Sequence, residues 1–210
     1  MGIREYRDED VEVCVEIVDA TWHFRQLLPP SALGDFALRM YVGGSLARSD
    51  GAWVVDDESG VRGFIFADSG HGQHFHNRYS GWSGGLRTAF ELLRLPGLGL
   101  GQKLGWLRAV RGHEVNLARV RPEAEGEITL FAVDPEAHGR GYGRALMDHC
   151  LAALRRNGTR SVWLAPDSGS SWGFYEHYGF ERGGSFRSPM NERFIGGEDE
   201  ESFVYRLTLD

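Results

Sequence analysis

A single α/β domain, with strands and helices interleaved from one end to the other, is the fold class this sequence predicts, and three observations predict it. The 210 residues fall between one and two domains of roughly 150 residues, and no low-complexity linker or internal repeat divides them. Short apolar runs alternate with amphipathic segments of helical period along the chain. Near the centre, a strand pattern, a glycine-rich turn and a helix pattern follow one another directly between Glu127 and Leu154.

Taken in order, Ile3 to Tyr6 reads as a strand. It leads to an acidic helix start and to Val11, Val15 and Val18, whose spacings of four and three share one helical face. Ser31 to Tyr41 gives a second helix after Pro29 and Pro30. Ala52 to Asp56 and Gly63 to Ala67 form a hairpin across a turn-like DDESG. Asp68 to Gly85 is rich in glycine and histidine and has no period. Two helical patterns broken at Pro96 and Gly97 follow, so residues 70 to 121 are expected as a helical insertion between the third and fourth strands. From Arg87 to Arg121 seven Lys or Arg stand against two Glu, which reads either as a recognition patch or as a solvated helix face. Glu127 to Val133 is apolar with three β-branched residues, as in a strand buried on both faces. Leu146, Met147, Cys150, Leu151 and Leu154 form one stripe, and Asn157-Gly158 stops that helix. A strand at Ser161 to Leu164, a short helix at Trp172 to His177 and strands near Phe180 to Phe186 and Phe203 to Leu209 complete the series.

Composition excludes several classes. With 41% hydrophobic and 25% charged residues, the chain can bury a core and is not globally disordered. No run approaches the eighteen or so apolar residues of a membrane span, and MGIREYRDED lacks a leader pattern, so a cytoplasmic protein without a membrane partner is expected. The net charge of -7 argues against a general nucleic-acid binder. Cys14 and Cys150 sit in helical patterns and are expected as buried reduced thiols. His71, His74 and His76 could hold zinc or nickel in an ordered loop, but glycine-rich loops seldom pre-form such a site, and no metal is expected. With Phe75, Tyr79 and Trp82 they read instead as a mobile loop beside an acceptor or as plain surface.

The segment FAVDPEAHGRGYGRALM has the form of an anion cradle. Glycines let the backbone approach a ligand, successive amides converge, and the helix N-terminus favours phosphate. A nucleotide P-loop needs Lys-Ser/Thr where Arg144-Ala145 stand. A dinucleotide fingerprint needs a glycine where Leu146 stands, and although Asp167 lies near the distance of a ribose carboxylate, too little chain follows for a doubly wound sheet.

These residues resemble the GCN5-related N-acetyltransferase (GNAT) family, whose hallmark R/Q-x-x-G-x-G/A follows a strand ending in V-x-P. Val133-Asp134-Pro135 precedes His138-Gly139-Arg140-Gly141-Tyr142-Gly143, with His138 where the family usually has Arg or Gln. A second motif, Phe-Tyr-x-x-x-Gly-Phe, stands at Phe174 to Phe180. The resemblance implies a mostly antiparallel seven-stranded sheet, splayed between the fourth and fifth strands, where acetyl-CoA enters. It implicates the backbone of Phe131, Ala132 and Val133 for pantetheine, and the amides from His138 or Gly139 through Arg140, Gly141, Tyr142 and Gly143 to Arg144 for pyrophosphate, with side chains of Arg140 and Arg144 able to add charge. Tyr175 is implied as the general acid, with Tyr178 one helical turn further on as a weaker candidate. Glu127 is the implied base, with Asp167 as runner-up. Ser168 stands where the family usually has Asn.

The chemistry fits those residue types. A phenol of pKa about 10 can protonate a departing thiolate whose acid has a pKa of about 8.5, while an ammonium of about 10.4 must lose a proton before it attacks. The resemblance therefore implies direct acetyl transfer to a primary amine of a small molecule or peptide, with homodimerisation possible. A non-catalytic acyl-CoA sensor on the same fold is the alternative.

Overall fold

The computed structural model describes residues 1–166, 172–190, 192 and 201–209. The chain runs β1 (Gly2–Glu5), α1 (Val11–Trp22), α2 (Phe24–Leu27), α3 (Ser31–Leu46), β2 (Gly51–Asp57), β3 (Gly60–Asp68), α4 (Gly81–Arg94) and α5 (Leu100–Val120). It continues through β4 (Gly126–Val133), α6 (Tyr142–Arg156), β5 (Ser161–Leu164), α7 (Trp172–His177), β6 (Glu181–Arg187) and β7 (Glu201–Thr208). The strands form one sheet in the order β1-β2-β3-β4-β5-β7-β6. Every neighbouring pair is antiparallel except β4 and β5, which run parallel and pair only at Gly126 with Val162 and Glu127 with Trp163. Beyond Glu127 the two strands part, which is the expected splay.

The apolar run of β3 explains why the sheet is covered on both sides. Phe64 and Phe66 pack toward α1 and α3 with Cys14, Val18, Leu38 and Val42. Ile65 and Ala67, alternating with them, pack toward α6 with Leu146, Met147, Cys150 and Leu154. At roughly 25 cal/mol per Å² of apolar surface, two such layers are the main source of stability. No helix among the described residues is long and apolar enough to cross a membrane.

Helix α3 runs past its expected end at Tyr41, through Gly43 and Gly44 to Leu46. Interior glycines cost a helix about 1 kcal/mol each, and tertiary contacts offset that cost. The Tyr79 ring fills the place a Gly43 side chain would take, and the Asn77 side-chain amide donates to the Gly43 carbonyl at 2.8 Å.

The Gly/His-rich segment is therefore not the free loop its composition suggests. Asp50 accepts hydrogen bonds from the Ser69 and Gly72 amides, and the Phe75 amide donates to the Ser49 carbonyl at 2.8 Å. Residues Gly81 to Gly85, also read as loop, form the first turns of α4. The insertion packs on α3 through Leu92 and Trp106 against Leu28, Leu33 and Ala37. Lys103, counted in the basic patch, is buried, and its ammonium donates to the Leu93 carbonyl at the end of α4.

Candidate active site

Two recesses lie against β4, and a one-residue irregularity in that strand separates them. Phe66 pairs with Leu130 and Ala67 with Ile128, so Thr129 has no partner on β3. Such a bulge reverses which side chains face which side. Ile128, Phe131 and Val133 pack with the α6 layer, while Leu130 and Ala132 join the α1 and α3 layer. Before the bulge, Glu127 faces the α3 and α5 side, away from Phe131 and Val133. The bulge is pinned where the Ser49 and Thr129 hydroxyls meet, 2.7 Å apart.

On the α6 side is a cleft of about 530 Å³ bounded by Phe131, Ala132, Val133 and the turn into α6. The Asp134 amide donates to the Arg62 carbonyl, which fixes the phase of the antiparallel ladder. Ala132 and Leu130 direct their polar backbone groups to β3, whereas Phe131 and Val133 direct theirs into the gap. The Val133 carbonyl already accepts a hydrogen bond from His138 Nε2 at 3.1 Å. The His138 amide lies 3.3 Å from the Pro135 carbonyl and donates to it, so the open amides begin at Gly139.

Gly139 and Gly141 have φ of 77° and 82°, a region in which a side chain is strained. A Cβ at either position would meet nothing within 4 Å, so both present bare backbone to the cleft. The Ala145 amide closes the first helical bond on the Gly141 carbonyl at 3.0 Å; the amides before it belong to the turn that a helix leaves open for an anion. Arg144 and Gly143 line the cleft, and Arg140 is exposed next to it. The Tyr142 hydroxyl turns away and donates to Asp57 at 2.7 Å, holding that carboxyl below its usual range.

Tyr175 also lines this cleft and is only 7% exposed. Its ring is fixed by Phe174, Phe180 and Tyr205, with centroids 5.5, 6.0 and 5.9 Å away. Tyr178 has another role. Its hydroxyl sits between the Arg144 carbonyl and the Asp148 carboxylate, at 3.0 and 2.9 Å, tying α7 to α6. Burial, then the Asp148 contact, push its pKa up to about 12.

On the opposite side of β4 is a cavity of about 170 Å³. Trp106, Val110, His113 and Leu117 of α5, spaced at one helical face, form one wall, and Trp163 of β5 with Glu127 forms another. Burial raises the Glu127 carboxyl above its ordinary value, against the opposing effect of Arg48 and Arg121. The Arg121 guanidinium is 3.9 Å from it. Burial lowers the His113 imidazole, whose Nδ1 lies 2.8 Å from the Ser188 hydroxyl and whose ring packs edge-on to Phe186. The indole nitrogens of Trp106 and Trp163 have no hydrogen-bond partner among the described residues.

The α1–α2 corner touches both recesses, with Thr21 and Trp22 in the cleft and Phe24 and Leu28 in the cavity. Arg25 fixes it, donating to Glu16, Asp19 and Asp35 at 2.7, 2.9 and 2.6 Å.

The histidine loop lines neither recess. His71 approaches Glu125, His74 approaches Asp68 at 3.2 Å, and Trp82 is 83% exposed. Asp167 and Ser168 lie outside the described residues. His113, Trp106 and Trp163 were not singled out from the sequence, although the 106, 110, 113, 117 spacing was there to read.

Residues 92–180 match the family model described as Acetyltransferase (GNAT) family. A mycothiol acetyltransferase of Beutenbergia cavernae is 31% identical over 170 residues, covering 76% of this chain and 54% of the relative. One from Geodermatophilus obscurus is 46% identical over 63 residues, 29% of this chain and 20% of that protein. The chain thus spans about half, or less, of the length of these relatives. The crystal structure of a Corynebacterium glutamicum protein, described as a histone acetyltransferase and related acetyltransferase, superposes with a TM-score of 0.60 at 16% identity. It covers 99% of this chain and 96% of that one, and this likeness speaks to the fold.

Proposed function

Residues 92–180 match the GNAT acetyltransferase family model, and from that match we propose that the chain is an acetyl-CoA-dependent N-acetyltransferase acting directly on a primary amine. The observation that carries this reading is the pair of recesses on opposite faces of β4, one holding Tyr175 and the other Glu127. The bare amides from Gly139 to Arg144 suit a pyrophosphate, and the backbone of Phe131 and Val133 suits an extended amide chain.

In the proposed step, Glu127 takes a proton from the acceptor ammonium, directly or through water. The amine nitrogen then attacks the thioester carbonyl and the C–N bond forms; as the C–S bond breaks, Tyr175 gives its proton to the departing thiolate and regains one, through water, from the second proton that the nitrogen sheds on becoming an amide. A cysteine-borne acetyl intermediate is not needed. Cys14 and Cys150 are buried in the two core layers, and burial pushes both thiols well above their ordinary value. The name of a further relative from Escherichia coli, ribosomal-protein alanine N-acetyltransferase, 38% identical over 58 residues, supports an amine acceptor.

The test is release of free thiol from acetyl-CoA across a panel of amines and peptides, for the wild type and Tyr175→Phe. Turnover with one acceptor class, reduced by a factor on the order of 10² or more in the variant, is the expected result. Tight acetyl-CoA binding with no turnover on any acceptor would point to the non-catalytic sensor.

A further inference from the structure

Resting on the acetyltransferase reading, we propose that the acceptor is a small aromatic monoamine, an arylalkylamine seated with its ring between Trp106 and Trp163 and its nitrogen toward Glu127. Size, wall chemistry and charge each bear on this. The cavity of about 170 Å³ is close to the roughly 150 Å³ of an apolar cavity that takes up benzene. It holds one ring and a short tether.

The walls are apolar on the side away from the carboxylate, with Val110, Leu117, Phe186 and Met190 joining the two indoles. A ring placed there gains burial and edge or face contacts with tryptophan. An alkylammonium placed there would lose water and find no anion.

Charge settles where the nitrogen goes. Glu127 is the carboxylate that β4 itself contributes to the cavity, and its Arg121 contact at 3.9 Å is too long for a close ion pair. It can receive one ammonium. Glu114 and Arg48 also border the cavity, but both are exposed, so solvent screens them.

The experiment compares kcat/KM for 2-phenylethylamine, spermidine and a lysine-containing peptide, with acetyl-CoA affinity measured in parallel. Phenylethylamine is expected to exceed both others by at least about tenfold, and to quench tryptophan fluorescence on binding. Spermidine or the peptide matching or exceeding it would overturn the proposal while leaving acetyl transfer standing. No thiol release with any acceptor, despite acetyl-CoA binding, would overturn both. Val110→Phe, which fills the cavity from a half-buried position, is expected to lower kcat/KM for phenylethylamine about tenfold with acetyl-CoA affinity unchanged. An unaltered value in that variant would show that the amine is not held there.

Discussion

On the α6 side of β4 the recess is walled by backbone: two left-handed glycines, a run of open amides and the unpaired edge of a strand. On the α5 side it is walled by large side chains drawn from five or more elements, including a helix of the insertion. The first surface suits what any phosphorylated carrier shares. The second has the shape of one ligand. Backbone recognition is rigid and indifferent to most side-chain changes, whereas a side-chain cavity can be altered by one substitution.

Three measurements can break or sharpen this contrast. The largest effect is expected at Glu127. Glu127→Gln should lower kcat by a factor of about 10² while acetyl-CoA affinity stays the same. In the wild type the acid limb of the rate profile should lie above the ordinary carboxylate range, because burial raises this carboxyl, and the limb should vanish in the variant. The stability effect has the opposite sign. A folded pKa above the unfolded one means the contribution to stability is full below the unfolded pKa and is lost as pH rises through the folded one. At neutral pH, Glu127→Gln is therefore expected to raise the thermal midpoint as it lowers turnover.

The next effect is on the backbone side. Gly141→Val puts a branched side chain at φ of 82°, a strain of about 1–2 kcal/mol, with its Cβ in the open cradle. Acetyl-CoA affinity is expected to fall about tenfold or more by calorimetry, with amine-induced tryptophan quenching retained. If affinity for the carrier is unchanged, the cradle is not where it binds. The smallest effect is at Ser49, whose hydroxyl meets Thr129. Ser49→Ala leaves that buried hydroxyl without its partner, at a cost of about 1 kcal/mol, or about 2–4 °C in the midpoint for a chain of this size. Catalysis should change more than carrier affinity, since the bulge orients Glu127.

The contrast also explains what the sequence made legible. The cradle was readable because glycines and a following amphipathic stripe are local signals, and Tyr175 was readable because its motif is contiguous. The cavity was not readable because its walls meet only after folding. Trp163 lies in a four-residue strand that gives no hint of its neighbour across the sheet, and His113 was submerged in a segment whose charge drew attention to its solvent face. The aromatic and imidazole residues from His71 to Trp82 looked more chemical than those of α5. Asp50, Ser49 and Gly43 fix that segment against the fold, clear of both recesses.

The unpaired Thr129 makes β4 a counting device. Glu127 and Phe131 are four residues apart, an even number that on a regular strand puts both on one side. Were Thr129 paired like its neighbours, Glu127 would share the side of Phe131 and Val133 and point into the α6 layer. Here the fate of a carboxylate rests on the parity of a number, and no property of any single amino acid records it.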